Sequence, residues 1–243
     1  MEDQENQWIE HTKTISVEDV VLNYNNPKAH QVEFSNLVNA LCESKDFNKV
    51  VEVGCETGVN CMLLDNKLDK YFFDLNPDAV KLAEDSVKAI GLKGHFVQGD
   101  MFAMPFESQS FDLIFNSGVV EHFTYEERVK FLTEYSRVLK NGGSMLLAYP
   151  NHYSFLYRTA YVILKKLLFG FKWPWPKEYK FYDMRSEIEQ VGLVLKERKI
   201  IARNTFFDGL GKYKPIQKLL LAFDKIFNFE GYLVVLEVEK PLK

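Results

Sequence analysis

The sequence lacks the marks of several protein classes. Its three cysteines, Cys42, Cys55 and Cys61, make no CxxC pair and leave an odd count. This argues against a disulfide scaffold and for reduced thiols in a cytoplasmic protein. No uninterrupted apolar run approaches the roughly 18 residues that a spanning helix needs. The opening MEDQENQWIEHTK is acidic and polar, unlike a secretory signal, so a soluble chain is expected. A net charge of −4 disfavours a general nucleic-acid-binding surface. His11, His30, His95, His122 and His152 show neither HxxxH nor HExxH spacing, and no metal site is expected. The Walker GxxxxGK(S/T) pattern and the GxGxxG pyrophosphate turn are also missing.

What is present is an alternation of short apolar runs with helical patterns. KVVEV (Lys49–Val53), KYFFDL (Lys70–Leu75), GHFVQGD (Gly94–Asp100), FDLIFN (Phe111–Asn116) and SMLLAYP (Ser144–Pro150) read as strands. The stretch NPDAVKLAEDSVKAIGL reads as a helix with Asn76 as N-cap, Pro77 in its first turn and Gly91 as its stop. A second helix starts at Thr124 and runs to Asn141-Gly142-Gly143. The pattern predicts an α/β fold, a parallel sheet with helices on both faces. Beyond Pro150, LVLKERKII reads as a sixth strand and GYLVVLEVEK as a last, antiparallel one. Two aromatic-rich interruptions, at about 151–180 and 202–230, read as cap insertions. Residues 1–47 read as an N-terminal helical lid, with Tyr24 a candidate to close it.

In such sheets ligands bind beyond the carboxyl ends of the strands. After the first strand comes the turn Gly54-Cys55-Glu56-Thr57-Gly58, whose amides are expected to face a ligand. After the second comes Asp74, placed for ribose hydroxyls, or serving only as a helix cap. After the third come Asp100 and Met101, suited to an adenine edge, or a plain turn. The joint order describes a nucleoside site without a phosphate cradle.

The segments VVEVGCETG, YFFDLNPDAVKLAED, FVQGDMFAMPFESQSFDLIFNSGVVEHF, RVLKNGGSMLLAYPN and YKFYDMRSEIEQVGLVLKER resemble the class I S-adenosylmethionine-dependent methyltransferases, and among them the quinone-biosynthesis and small-molecule branch. The resemblance implies a doubly wound, mostly parallel, seven-stranded Rossmann-like sheet over residues 48–243, with S-adenosylmethionine as cofactor and S-adenosylhomocysteine as product. It implies that Gly54, Cys55 and Gly58 line the methionine half and that Glu52 holds its amino group. It places Asp74 at the ribose, Leu75, Asp100 and Met101 at the adenine, and Asn116 near the sulfonium. Glu56 departs from the family's usual glycine. Its side chain turns to solvent, reaches a cationic group, or occludes the site.

Methyl transfer needs a general base only when the acceptor must lose a proton. His122, just after the fourth strand, is the candidate, against a packing or capping role; His152 and Tyr153 are weaker ones, and Glu121 reads as structural. Residues 151–180 carry six cations against Glu178 alone, and 199–225 six against Asp208 and Asp224, balances of +5 and +4. Both stretches are strongly apolar, as AYVILKKLLFGFKWPWP shows. They suit a peripheral membrane contact at the inner membrane surface, a pocket for a lipid-linked or quinone-like acceptor with an anionic head, or an ordinary cap. The alternatives to a methyltransferase are a non-catalytic partner subunit and a nucleotide-dependent oxidoreductase. An RNA methyltransferase is disfavoured, since NSGV stands where a base-reading turn would be.

Overall fold

The computed structural model describes residues 2–154, 176–203 and 230–242, with 214, 218 and 222 singly. Seven strands form one sheet: β1 (Lys49–Val53), β2 (Asp69–Asp74), β3 (His95–Gln98), β4 (Phe111–Ser117), β5 (Leu139–Pro150), β6 (Val194–Ile201) and β7 (Leu233–Glu239). Their order is β3-β2-β1-β4-β5-β7-β6. β7 runs antiparallel to both its neighbours and the other pairings are parallel. The chain reverses its direction of travel across the sheet between β1 and β4, which opens a crevice at their carboxyl ends.

Alternation along each strand divides the core. Val50, Phe72, Leu113 and Phe115 face one layer, and Val51, Val53, Phe73 and Ile114 the other. The helices are α1 (Glu2–Thr12), α2 (Val17–Asn25), α3 (Ala29–Lys45), α4 (Val59–Met62), α5 (Pro77–Ile90), α6 (Tyr125–Val138) and α7 (Arg185–Gln190). Their ends follow local chemistry. The Asn76 side chain accepts from Asp78 N, and Gly91 closes α5 at φ +81°. Thr124 and Glu127 form a reciprocal capping box at the start of α6.

The structure departs from the sequence reading at the end of α6. The helix stops at Val138, and Leu139 already pairs with Phe111. Asn141-Gly142-Gly143 is therefore an irregularity inside β5. It restores register at Leu113↔Ser144, and a Cβ on Gly143 would stand 2.9 Å from the Asp112 carbonyl oxygen. Of the two expected insertions, residues 155–175 and most of 204–229 lie outside the described residues.

Gly58 proves to be a packing glycine. At φ +71°, a Cβ there would lie 2.7 Å from Phe72 Cδ1 and 3.3 Å from the Ala83 methyl. The expected result for Gly58→Ala is a loss of about 2–4 kcal/mol, from left-handed strain plus overpacking. Chemical denaturation measures it, and an unchanged midpoint would contradict the packing role.

Candidate active site

A cavity of about 620 Å³ opens at the carboxyl ends of β1, β2 and β4, within the size range of small-ligand sites. Glu52, Gly54, Cys55, Glu56, Asp74, Leu75, Asp100, Met101 and His122 all line it. Gly58 and Asn116 do not. The Asn116 side chain is fully buried beside Tyr135, and Ser117 and Gly118 form the wall in its place. Neither His152 nor Tyr153 reaches the cavity lining. His152 is buried with Nδ1 3.7 Å from Glu178 Oε2, and Tyr153 is exposed.

Four of the five amides of the turn after β1 are paired within the protein, where the sequence reading expected them to face a ligand. Gly54 N and Cys55 N donate to the Phe73 carbonyl, and Gly58 N to that of Cys55. Glu56 N donates to Asp74 Oδ2 at 2.9 Å, and Cys61 N, in the single-turn α4, donates to Glu52 Oε2 at 3.2 Å. These donors pair with protein carbonyls and carboxylates. What the turn presents to the cavity is acid. Gly54 itself is needed for close approach: at φ +72°, a Cβ there would stand 2.7 Å from Val119 Cγ2.

The plainer of the alternatives weighed for the acids is seen in both. Asp74 Oδ1 accepts from Asn76 N at 2.9 Å, and Asp100 Oδ1 from Phe102 N at 2.9 Å. Each carboxylate therefore shapes its own turn while also lining the cavity, and its oxygens retain further lone pairs. Glu52 is 2% exposed and accepts from Asn60 Nδ2 at 3.0 Å. Burial pushes its carboxyl up to about 8, against those hydrogen bonds and with help from Asp74 and Glu56. Burial and then Asp74 push Glu56 up to about 7, with Lys28 opposing. Carboxyls raised in this way hold protons in the folded state that the unfolded chain releases. Their contribution to stability is present at low pH and is lost as pH rises through about 7 and 8. Burial also raises the Cys55 and Cys61 thiols well above their ordinary value, which leaves no reactive thiolate.

Glu56 turns one carboxylate oxygen inward, while its side chain stays 34% exposed. It adopts φ +44°, and its Oε1 is buried 3.4 Å from His11 Nε2 of α1. The same helix brings Trp8, Ile9 and Thr12 into the cavity wall, and Thr12 Oγ1 accepts from Asn76 Nδ2 at 3.1 Å. Tyr24 packs instead against the apolar core. Trp8 was the one available signal, a lone aromatic in an otherwise polar opening. Asn60, just past the turn, joins the lining, as do His30, Glu178 and Tyr232 from positions distant in sequence.

His122 sits in a 3-10 turn, Val120–His122. Its Nδ1 lies 3.1 Å from the Lys177 carbonyl oxygen. A carbonyl only accepts, so Nδ1 carries the proton and neutral Nε2 keeps its lone pair. Burial holds the imidazole below its ordinary value, opposed by that hydrogen bond and by Glu178. The Trp8 ring meets His122 edge-on at 5.4 Å. Among the described residues no lysine or arginine lines the cavity.

The sheet order and the crevice at its switch point define the class I methyltransferase fold. Residues 50–143 match the family model of a methyltransferase domain. The chain is 33% identical over 103 residues to the phthiotriol/phenolphthiotriol dimycocerosates methyltransferase of Mycobacterium leprae, covering 41% of this chain and 37% of that one. It is 34% identical over 119 residues to the fatty-acid O-methyltransferase of Mycolicibacterium smegmatis, covering 48% and 41%. The chain spans about two fifths of the length of the curated relatives it matches at 30% identity or more. Among solved structures, a SAM-dependent methyltransferase from Methanosarcina mazei superimposes with TM-score 0.58 at 18% identity, covering 84% of this chain and 98% of that one.

Proposed function

We propose that the protein is an S-adenosylmethionine-dependent methyltransferase acting on a small, apolar or lipid-like acceptor. The observation that carries this is the acid-lined cavity. Glu52, Glu56, Asp74 and Asp100 converge on it, with no lysine or arginine among the described lining. That donor set fits a cationic nucleoside and opposes a pyrophosphate, which counts against a nicotinamide or flavin dinucleotide. Asp74 would accept from the ribose hydroxyls. Leu75, 44% exposed at the cavity edge, would give the adenine an apolar face, and Asp100 and Met101 would hold its rim. The bound cofactor supplies a methyl group already activated by a sulfonium. The protein's part is to hold the acceptor against it and to exclude water.

Residues 1–47 would then act as a lid, with Trp8 and Thr12 on its inner side. Trp8, Phe102, Phe123 and Tyr232 line the cavity and offer an apolar acceptor a matching surface. The named relatives act on lipid-like molecules, which supports the same class here. The finer reading, contact with a membrane surface, rests on the basic, apolar composition of residues 151–180 and 199–225. No helix among the described residues is long and apolar enough to cross a membrane. Flotation on anionic vesicles at low salt tests the contact, and no binding would remove it.

The first test is calorimetric titration with S-adenosylhomocysteine. A dissociation constant on the order of micromolar is expected, and no detectable binding would sink the reading. Binding of a nicotinamide dinucleotide instead would favour an oxidoreductase. Binding of cofactor with no turnover of any acceptor would favour a partner subunit. Where the acceptor is a hydroxyl, His122→Ala should lower kcat about 100-fold while leaving S-adenosylhomocysteine affinity unchanged. An unchanged kcat would leave His122 a packing residue.

A further inference from the structure

Three carboxylates meet where β1 and β2 end, and they are not equivalent. Glu52 accepts from Asn60 and Cys61, and Asp74 from Glu56 N and Asn76 N. Glu56 Oε1 is buried and accepts no hydrogen bond among the described residues. Its backbone also occupies the left-handed region at φ +44°, where a side chain costs about 1–2 kcal/mol and glycine costs nothing. A glycine would thus serve the turn better on local grounds. The charged groups that face this carboxylate are His11 from α1, Glu52 from β1, Asp74 from β2, and Lys28 just before α3. His30 of α3 joins the same cavity lining. The balance around Glu56 is acidic, which a cation placed in the cavity would relieve.

We propose that Glu56 is a specificity-determining residue that makes the site prefer the sulfonium form of the cofactor to its thioether product. The inference rests on the S-adenosylmethionine reading and adds a role for this chain's own departure from a glycine turn. S-adenosylmethionine and S-adenosylhomocysteine share their adenosine and their zwitterionic amino-acid end. They differ in one formal charge. Methyl transfer breaks the sulfur–methyl bond, leaves its electron pair on sulfur and forms the bond to the acceptor, whose proton passes to a base or to solvent. The attraction that Glu56 exerts on the sulfonium charge is therefore absent for the product, while any attraction to the shared ammonium is common to both. Retention of product is reduced without any conformational change.

The experiment is calorimetric titration of the full chain with each ligand at pH 8, where the raised Glu56 carboxyl is ionised and the lowered His11 imidazole is neutral. The ratio of the S-adenosylhomocysteine to the S-adenosylmethionine dissociation constant should fall about 5- to 10-fold in Glu56→Gln, a change carried by S-adenosylmethionine. Glutamine keeps the size and shape of the side chain, and a thermal melt checks that the variant folds. A second arm uses the unaltered protein and needs no variant. Its ratio should fall between pH 8 and pH 6 as the site's carboxyls take up protons. Glu52, raised to about 8, contributes to that profile, and the part lost in Glu56→Gln belongs to Glu56. A ratio unchanged by both the variant and pH overturns the inference and leaves the cofactor reading standing. Tighter binding of both ligands to Glu56→Gly overturns it in favour of obstruction. Binding of neither ligand to the unaltered protein overturns the cofactor reading itself.

Discussion

Asp74→Ala should weaken S-adenosylhomocysteine binding by about 100-fold, measured by calorimetry. Two charge-assisted hydrogen bonds to ribose hydroxyls, each worth about 1.5 kcal/mol or more, account for that factor. The substitution reaches further than the ligand. Asp74 also accepts from Glu56 N and Asn76 N, so removing it leaves two amides of the site without their acceptor. A further loss of about 1–3 kcal/mol of stability is expected, which a thermal melt separates from the loss of affinity. Asp74→Asn keeps one acceptor oxygen and should lose only about 10-fold in binding. Undiminished affinity in Asp74→Ala would mean that the acid only caps its turn, the plainer of the two roles read from the sequence.

A larger effect on stability is expected at Arg128. Its Nε and Nη2 lie 2.8 and 2.6 Å from Glu187 Oε1, and Nη1 donates to the Phe123 carbonyl at 2.7 Å. The guanidinium stands 4.4 Å from the centre of the Phe181 ring. Both charged partners are buried. Arg128→Ala abandons a buried carboxylate that, among the described residues, keeps only the Ser186 hydroxyl as a side-chain donor. The expected cost is about 3–5 kcal/mol, on the order of 10 °C in a melt of a domain this size. The double variant Arg128→Met with Glu187→Leu should recover most of it, because the penalty lies in the orphaned charge. If the double variant is no more stable than the single one, packing against Phe181 is the larger share. The pair also secures Phe123, beside His122 in the cavity wall, so cofactor and acceptor binding should weaken together with the fold.

The two predictions differ in how far their residues were legible. Asp74 ends a strand and begins a helix, and the chemistry of both ends is written in adjacent residues: Phe73 before it, Asn76 and Pro77 after. The same locality made β1, β4, the capped starts of α5 and α6, and the line of Glu52, Glu56, Asp74 and Asp100 readable. Arg128 and Glu187 lie 59 positions apart on different helices, and nothing in either neighbourhood marks the other. Gly58 was misread for a related reason. A glycine in a turn looks the same whether a ligand or Phe72 needs the space, and only the packing of α5 on β2 tells them apart.

The sequence by itself determined the alternation of elements, the parallel core of the sheet and the presence of acids at successive strand ends. Those properties follow from side-chain periodicity and turn chemistry over a few residues. Tertiary structure alone decided that four of the turn's amides are spent on Phe73, Cys55 and Asp74, that Glu56 Oε1 is buried beside His11, and that Trp8 rather than Tyr24 lines the cavity. Each of these depends on where a distant segment comes to rest. A carboxylate's charge state and a helix's inner face are set by neighbours in space, and the order of residues along the chain does not name them.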